Sequence, residues 1–336
     1  MRSLPKNYDL IHDLLYCLDS VPDIIAVSET KLNANSVSNT DLNNYFCFHV
    51  DSKTFAGCAA LYVSKQINTI YRADLSVNVS DVESCWVEIA QKGKPNMIVG
   101  CVYRHPHVNL EEFTLELHKL TKLINKEKKQ LFILGDFNID FLKNRTNQAT
   151  DDYLDMLYSD GLLPLITKPT RITSHSATLI DHIYTNISID TVTPGILTMD
   201  ISDHLPTFCI IDTVVIRPKV IKYFRDYSSF DQTKYINEIN FIDWDSIINN
   251  DHENLHTKAR KFVDRVKEIV NKHAPIKQIP CSKLKRTLLK PWITNGLLTS
   301  IKRKQKLYRT HFLSNDPEKK YLYKKYSNTL NELKQY

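Results

Sequence analysis

Hydrophobic residues along the first 214 positions alternate between helical and strand-like spacing. Apolar positions between residues 10 and 18 recur on one helical face, Asn7 is placed to cap that helix, and Pro22 ends it. The next run, Ile24-Ile25-Ala26-Val27, is typical of a buried strand. The pattern therefore predicts a helix followed directly by a strand.

The same alternation continues to about residue 214. Further strands are predicted at 45–50, 58–63, 84–90, 97–104, 131–134, 179–184 and 207–214. Two helices interrupt them, from Leu110 to about Asn125 and from about Thr150 to Ser159, with Gly161 closing the second. Many strands with few helices predict packed sheets flanked by helices, an α/β or α+β sandwich.

Beyond residue 215 the pattern becomes mostly helical. Residues 255–272 carry apolar side chains at helical spacing, and Asp316-Pro317 is a favourable opening for a helix over 318–333. We therefore expect a sandwich domain over residues 1–214 and a mostly helical C-terminal extension over residues 215–336.

Composition narrows the class of protein. The chain is 42% hydrophobic, which is enough for a core, yet it holds no apolar run long enough for a membrane span. Asp9 and Asp13 interrupt the first apolar stretch, so no secretory signal is expected and the protein is predicted not to be secreted. The seven cysteines include no Cys-x-x-Cys pair, which favours buried thiols over disulfides or a zinc site.

Positive charge is concentrated in the C-terminal extension. From Lys277 onward there are 15 Lys and Arg against 3 Asp and Glu, a net charge of +12. Since the whole chain carries +6, residues 1–276 carry −6. A basic tail suits a polyanionic partner, although solvated helix faces also explain it.

Candidate catalytic residues lie at strand ends. Asp136 and Asn138 follow a predicted buried strand, and alternation places both on one side of it. Glu29 follows another strand in the same way, whereas Asp181 lies inside an apolar strand and must find a partner there. His204, just before the last strand, is a natural partner for Asp181. Each residue alone has a structural explanation, but four such sites in one domain favour catalysis.

Five short motifs occur in a fixed order. They are Ser28-Glu29-Thr30, Val102-Tyr103-Arg104-His105-Pro106, Gly135-Asp136-Phe137-Asn138, Ile180-Asp181-His182 and Ser202-Asp203-His204. In this order they resemble the exonuclease/endonuclease/phosphatase superfamily. The Tyr-Arg-x-Pro form, with Lys168-Pro169-Thr170-Arg171 and Pro22-Asp23-Ile24-Ile25, is similar to the endonuclease domains of non-LTR retrotransposons. The resemblance covers about residues 2–214 and implies a four-layer sandwich of two packed mixed β-sheets.

The resemblance implies metal-assisted hydrolysis of a phosphodiester. Glu29, Asp136 and Asp203 would bind Mg²⁺ or Mn²⁺, hard cations that prefer oxygen ligands. Asp136 would also orient or deprotonate the attacking water, which Asn138 would position.

Other residues would contact the substrate. His204, held by Asp181, would stabilise charge on the scissile phosphate, and Tyr103 would donate to a phosphate oxygen. Arg104, Thr170 and Arg171 would contact phosphates or bases of the nucleic acid, although a structural ion pair is equally consistent with either arginine.

The motif set departs from the family at its start. The family begins with a strand that carries a metal-site Asn before Arg-Ser-Leu, whereas here only Met1 precedes Arg2-Ser3-Leu4. We therefore expect an N-terminally truncated domain that lacks its first strand, with Glu29 and its metal held less firmly.

The extension resembles the connector that precedes reverse transcriptase in such elements. No polymerase motif follows before Tyr336, so the polymerase domain is expected to be absent. Basic runs with interleaved tyrosines could bind nucleic acid, or could be an amphipathic connector.

Three functional classes stay open. They are a DNA endonuclease, an impaired nucleic-acid-binding remnant, and a phosphodiesterase or phosphatase acting on RNA or phosphorylated lipid. The sequence leaves the oligomeric state and target sequence open.

Overall fold

The computed structural model describes most of the chain. The described residues are 4–32, 40–42, 44–50, 57–76, 78–79, 82–144, 146–173, 175–213, 223–249, 254–278, 294–314 and 316–333. Cys281, the predicted boundary near residue 215, and the basic runs at 283–286 and 290–293 lie outside these ranges.

Eight α-helices occur in the described residues. They are α1 (Leu4–Cys17), α2 (Leu110–Lys126), α3 (Gln148–Ser159), α4 (Gln232–Asn240), α5 (Trp244–Ile248), α6 (Leu255–His273), α7 (Asn295–Ser314) and α8 (Pro317–Leu333). Within these ranges no helix is long and apolar enough to cross a membrane.

Sixteen strands occur in the described residues, eight before α3 and eight after it. They are β1 (Ile24–Val27), β2 (Tyr45–His49), β3 (Ala60–Ser64), β4 (Thr69–Tyr71), β5 (Asn78–Val79), β6 (Val82–Ile89), β7 (Met97–Arg104), β8 (Gln130–Asp136), β9 (Leu163–Pro164), β10 (Arg171–Ile172), β11 (Ala177–Thr178), β12 (Asp181–Thr185), β13 (Val192–Ile196), β14 (Thr207–Ile211), β15 (Tyr223–Arg225) and β16 (Ile276–Gln278).

The larger sheet has seven strands and is mixed. Its order is β4-β6-β7-β8-β12-β9, and β5 adds to β6. The β7 and β8 strands are parallel and joined by α2, whereas the other pairs are antiparallel. A parallel pair requires a long crossover, and α2 provides it. Because β7 and β8 run the same way, their carboxyl ends meet at one edge of the sheet.

The smaller sheet has the order β1-β3-β2 and lies between two layers of core. Leu61 and Val63 of β3 belong to the core of the larger sheet, whereas Ala60 and Tyr62 belong to a second core under α1. This alternation is what a strand buried on both faces requires. The layers are therefore α1, the smaller sheet, the larger sheet, and the pair α2 and α3, so the predicted sandwich is confirmed.

Local sequence signals account for most helix boundaries. Asn109 caps α2 through Oδ1, which accepts from the amides of Glu111 and Glu112. The predicted capping role of Asn7 is wrong, because α1 begins at Leu4 and Asn7 lies inside it. Leu4 is fully buried in the core beneath α1, so tertiary packing extends this helix beyond its local capping signal.

Contacts divide the chain into two compact units. The first comprises Met1–Pro218 with Pro291–Tyr336, and the second comprises Lys219–Lys290. Helices α7 and α8 thus belong with the sandwich, although the predicted division placed them in the extension. The second unit contains α4, α5 and α6 with the two-stranded β15–β16 sheet. The predicted separation of a sandwich domain, residues 1–214, from a C-terminal extension, residues 215–336, stays a prediction.

Candidate active site

Three neighbouring strands bring candidate residues to one edge of the larger sheet. In the parallel β7–β8 pair Tyr103 lies opposite Asp136, and in the antiparallel β8–β12 pair Asp136 lies opposite Asp181. Residues directly opposite each other across strands point to the same face of a sheet. The register therefore places Tyr103, Asp136 and Asp181 side by side.

Asp136 is the most buried acid of this row, with 3% of its surface exposed. Its Oδ1 accepts the amide of Asn138 at 3.1 Å, so the turn after β8 orients the carboxylate. Burial, followed by the negative charge of Asp181, raises the pKa of Asp136 to about 7. A carboxylate with this pKa can accept a proton near neutral pH and release it again.

His204 binds Asp181 as predicted. The imidazole Nδ1 lies 2.9 Å from Asp181 Oδ2 and 4.0 Å from Asp136 Oδ2, and we assign the Nδ1 proton to the bond with Asp181. Burial lowers the pKa of His204, but the hydrogen bond and charge of Asp181, together with the charge of Asp136, raise it above its ordinary value. The imidazolium form is thereby favoured.

Glu29 is tied to the row by Tyr103. The Tyr103 hydroxyl donates to Glu29 Oε1 at 2.9 Å, so the tyrosine orients this carboxylate instead of being free for a phosphate as predicted. Burial and the charge of Glu29 raise the pKa of Tyr103, which keeps the hydroxyl protonated as a donor. Glu29 itself has a positive φ of 55°. The amide of Thr30 fixes this turn by donating to the carbonyl of Cys58 at 3.2 Å.

Arg104 has a structural role that differs from its predicted contact with nucleic acid. Its side chain is buried, and the guanidinium donates to the carbonyls of Phe137 at 2.7 Å, Asn138 at 2.8 Å and Val108 at 2.5 Å. In return the Asn138 side-chain amide donates to the Arg104 carbonyl at 2.8 Å. The arginine thus clamps the turn after Asp136, because a fork of donors matches several carbonyls at once.

Thr170 likewise supports the site from within instead of facing a substrate. It is fully buried, and its hydroxyl donates to Asp181 Oδ2 at 2.6 Å while accepting the Asp181 amide at 3.2 Å. Because the hydroxyl is engaged and inaccessible, the predicted nucleic-acid contact of Thr170 is replaced by a positioning role.

Arg171 and Asp203 form an exposed pair beside His204. The guanidinium lies 2.9 Å from the Asp203 carboxylate, with side chains 35% and 39% exposed. The backbones of Arg171 and His204 also form an isolated antiparallel β-bridge. Of the three residues predicted to contact nucleic acid, Arg171 alone lies at the surface.

Glu83 is a neighbour of the site that the sequence analysis missed. It lies opposite Tyr103 in the β6–β7 pair and is 1% exposed. Its carboxylate accepts the amide of Cys58 and lies 4.0 Å from His105 Nε2. An acid inside the apolar β6 strand was the available signal, since the same reasoning singled out Asp181.

The acidic donors fit a divalent cation. Asp136, Asp181 and His204 each offer a ligand atom, and these atoms lie within 4.8 Å of one another. The charge of Asp181 makes ionisation of Asp136 costly, and a bound cation would relieve that repulsion. Among the described residues, Asp136 is the predicted metal ligand that belongs to this group. Glu29 accepts from Tyr103 and Asp203 pairs with Arg171, and their metal-binding roles stay predictions.

The four-layer sandwich thus carries Asp136 and Asp181 at adjacent strand ends, with His204 on a neighbouring loop. Residues 2–204 match the model of the Endonuclease/Exonuclease/phosphatase family. The chain belongs to that family.

Several solved structures are similar to this chain. The endonuclease domain of TRAS1, a telomere-specific non-LTR retrotransposon, is 15% identical, with a TM-score of 0.48 over 63% of this chain and 94% of that one. The APE2 catalytic domain of Xenopus laevis is 15% identical, with a TM-score of 0.49 over 65% of this chain and 92% of that one. The 3'-5' exonuclease NExo of Neisseria meningitidis is 16% identical, with a TM-score of 0.48 over 63% and 96%. No curated protein sequence matches the chain.

Proposed function

We propose that this chain is a Mg²⁺- or Mn²⁺-dependent phosphodiesterase that nicks DNA in the manner of a retrotransposon endonuclease. The observation that carries the proposal is the buried Asp136 opposite Asp181 at adjacent strand ends, with His204 bound to Asp181. Family membership supports phosphoester chemistry, and the motifs at Tyr103–Pro106 and Lys168–Arg171 support the retrotransposon branch.

Two residues act directly in the hydrolysis: Asp136 transfers a proton, and His204 stabilises charge. Asp136 takes a proton from the attacking water, whose oxygen bonds to phosphorus in line with the leaving oxygen. The phosphorus bond to the leaving oxygen breaks, and that oxygen departs with the electron pair. His204, kept protonated by Asp181, donates to a non-bridging phosphate oxygen as charge develops.

The remaining residues hold this arrangement in place. Tyr103 orients Glu29, and Arg104 with Asn138 fixes the turn that presents Asp136. Asp136 is the proposed metal carboxylate that belongs to the acidic group, and Glu29 and Asp203 stay the further ligands that the motifs predict. A bound divalent cation would neutralise developing phosphate charge and lower the pKa of a water.

DNA is the proposed substrate, with RNA as an alternative. The net charge of +12 beyond residue 276 suits a polyanion, and Arg171 offers an exposed guanidinium beside His204. The proposed location, nuclear or cytoplasmic, follows from this substrate.

The test is nicking of supercoiled plasmid by the purified full chain with Mg²⁺, with Mn²⁺ and with EDTA. Asp136→Asn and His204→Ala are each expected to lower kcat by about 100-fold or more. Asp190→Asn, an exposed acid outside the site, is the matched control and should cleave like the wild type. Cleavage that survives EDTA or Asp136→Asn would refute the proposal.

A substrate panel separates the other members of this chemical class. Duplex DNA, RNA and inositol phosphates are compared at equal concentration under the same metal conditions. Faster release of phosphate from inositol phosphates would identify a phosphatase. DNA binding without hydrolysis of any substrate would identify a nucleic-acid-binding protein instead.

A further inference from the structure

The C-terminal helices contact the loop that carries His204. This loop joins β13 to β14 and contains Asp200, whose carboxylate accepts from Lys304 Nζ at 3.0 Å and from the Tyr323 hydroxyl. The Asp200 amide donates to Gln305 Oε1 at 3.2 Å. One aspartate, four residues before His204, thus receives groups from both α7 and α8.

The α7 residues that contact Asp200 are almost completely buried. Lys304 is 2% exposed and Gln305 is 3% exposed, although lysine is almost never fully buried unless it is paired. Removing one partner of such a pair leaves an uncompensated buried charge, so the pairing is specific. Met199, next to Asp200, is fully buried, and Arg309 Nε donates to the carbonyl of Thr198 at 3.2 Å.

Helices α7 and α8 also contact each other through their aromatic side chains. The rings of Tyr308 and Tyr323 lie 5.4 Å apart, and the guanidinium of Arg303 lies over the ring of Tyr326 at 5.5 Å. Of the tyrosines interleaved with the basic runs, Tyr308, Tyr323 and Tyr326 therefore pack between the helices. This packing brings Lys304 of α7 and Tyr323 of α8 to one carboxylate.

The other bonds of the loop between Asp200 and His204 lie nearer to His204, where Asp203 pairs with Arg171 at 2.9 Å and His204 with Asp181 at 2.9 Å. Ser202 Oγ accepts the His204 amide and donates to its carbonyl, both at 3.1 Å, which stiffens only the local turn. The Leu205 amide donates to the Thr170 carbonyl at 2.7 Å and ties the end of the loop. The start of the loop is tied through Asp200 and Thr198.

We propose that Asp200, Lys304 and Tyr323 are positioning residues, through which the C-terminal helices hold the His204 loop in its catalytic geometry. The inference deepens the function proposed above and rests on it for the kinetic part. In a site where reacting groups must lie within a fraction of an ångström, a loosened loop lowers turnover more than substrate binding.

The kinetic test uses point variants of the full chain in plasmid nicking. Lys304→Met is expected to lower kcat about tenfold or more while KM changes less than about twofold, because a displaced His204 no longer meets the developing charge. Lys304→Arg should recover part of the loss by restoring the charge. Lys122→Met removes the same charge from an exposed position of α2, outside the basic extension, and should match the wild type. An unchanged kcat in Lys304→Met overturns the proposal.

Amide hydrogen exchange provides a readout that does not depend on activity. Lys304→Met should speed exchange within residues 197–205 while exchange in β7 and β8 stays at the wild-type rate. Tyr323→Phe removes one hydroxyl and should produce a smaller change in the same peptides. If the wild type hydrolyses nothing, the proposed function fails, but this experiment still tests whether Lys304 and Tyr323 hold the His204 loop. Unchanged exchange at 197–205, or faster exchange throughout the chain in both variants, overturns it.

Discussion

Gly135 is the position where the backbone most directly constrains the site. It precedes Asp136 and has a φ of +153°, and it lies opposite Val102 in the parallel β7–β8 pair. A Cβ built at Gly135 would lie 1.8 Å from the Val102 carbonyl oxygen and 2.8 Å from its carbonyl carbon. Both atoms are backbone, so no side-chain rotation can relieve the clash. We therefore predict that Gly135→Ala displaces β7 from β8 next to the catalytic acid.

The size of the effect follows from two contributions. A non-glycine residue in this backbone region costs about 1–3 kcal/mol, and the overpacking adds about 1–3 kcal/mol. The expected loss is therefore about 4 kcal/mol, which is a large part of the roughly 5–15 kcal/mol that stabilises a typical domain.

Gly161 provides the matched control. It has a φ of +73°, and a Cβ there would meet nothing within 4 Å. Gly161→Ala should cost about 1–2 kcal/mol of left-handed strain. The stiffer unfolded chain offsets about 0.4–1 kcal/mol in both variants, so this contribution cancels from their comparison.

The assay is urea unfolding of the wild type and both variants, followed by circular dichroism and by intrinsic fluorescence. Gly135→Ala should lower the free energy of unfolding by about 2–3 kcal/mol more than Gly161→Ala. It should also lower the rate of plasmid nicking, because Asp136 is the next residue. Equal losses of stability in the two variants would refute the reasoning, because the carbonyl contact distinguishes them.

Three further changes test the supports of the site. Thr170→Val should lower kcat about tenfold with KM nearly unchanged, because Asp181 loses the hydroxyl that orients it; the exposed Thr173→Val is the control, and equal rates would contradict the role. Arg104→Lys should destabilise the chain by about 2–4 kcal/mol without changing the salt dependence of DNA binding, whereas a shallower slope in log[salt] would reveal a phosphate contact. His182 should stay neutral down to about pH 4, because burial lowers its pKa to about 4. Its stabilising contribution is then complete above about pH 6.5 and is lost as pH falls from about 6.5 to about 4. An NMR titration midpoint near 6.5 would contradict this.

The sequence predicted those elements that local pattern determines. Residues 24–27 and 97–104 form strands with the predicted bounds, and the helix from Leu110 ends within one residue of expectation. Apolar runs and capping residues act over a few positions, so they mark where an element begins and ends. The two-residue strands β9, β10 and β11 were missed, because they depend on pairing partners that local pattern does not reveal.

The candidate site was predictable for a different reason. Asp181 lies in an apolar run and begins β12, and such an acid requires a partner, which the structure provides in His204 and Thr170. The same requirement applied to Arg104 would have pointed to carbonyl partners. Its role was missed because a lone arginine in a motif is equally compatible with a phosphate and with a buried clamp.

Strand register connects these results, and it is the part that local pattern leaves open. A shift of one residue between β8 and either neighbour would move Tyr103 or Asp181 to the opposite face from Asp136. Gly135 restricts this register, because only glycine accepts the approach of the Val102 carbonyl just before the catalytic acid. The glycine of the Gly-Asp motif therefore acts on the geometry of the site, whereas the aspartate acts on its chemistry. This is why a methyl group at Gly135 should impair the same site as the loss of the Asp136 charge.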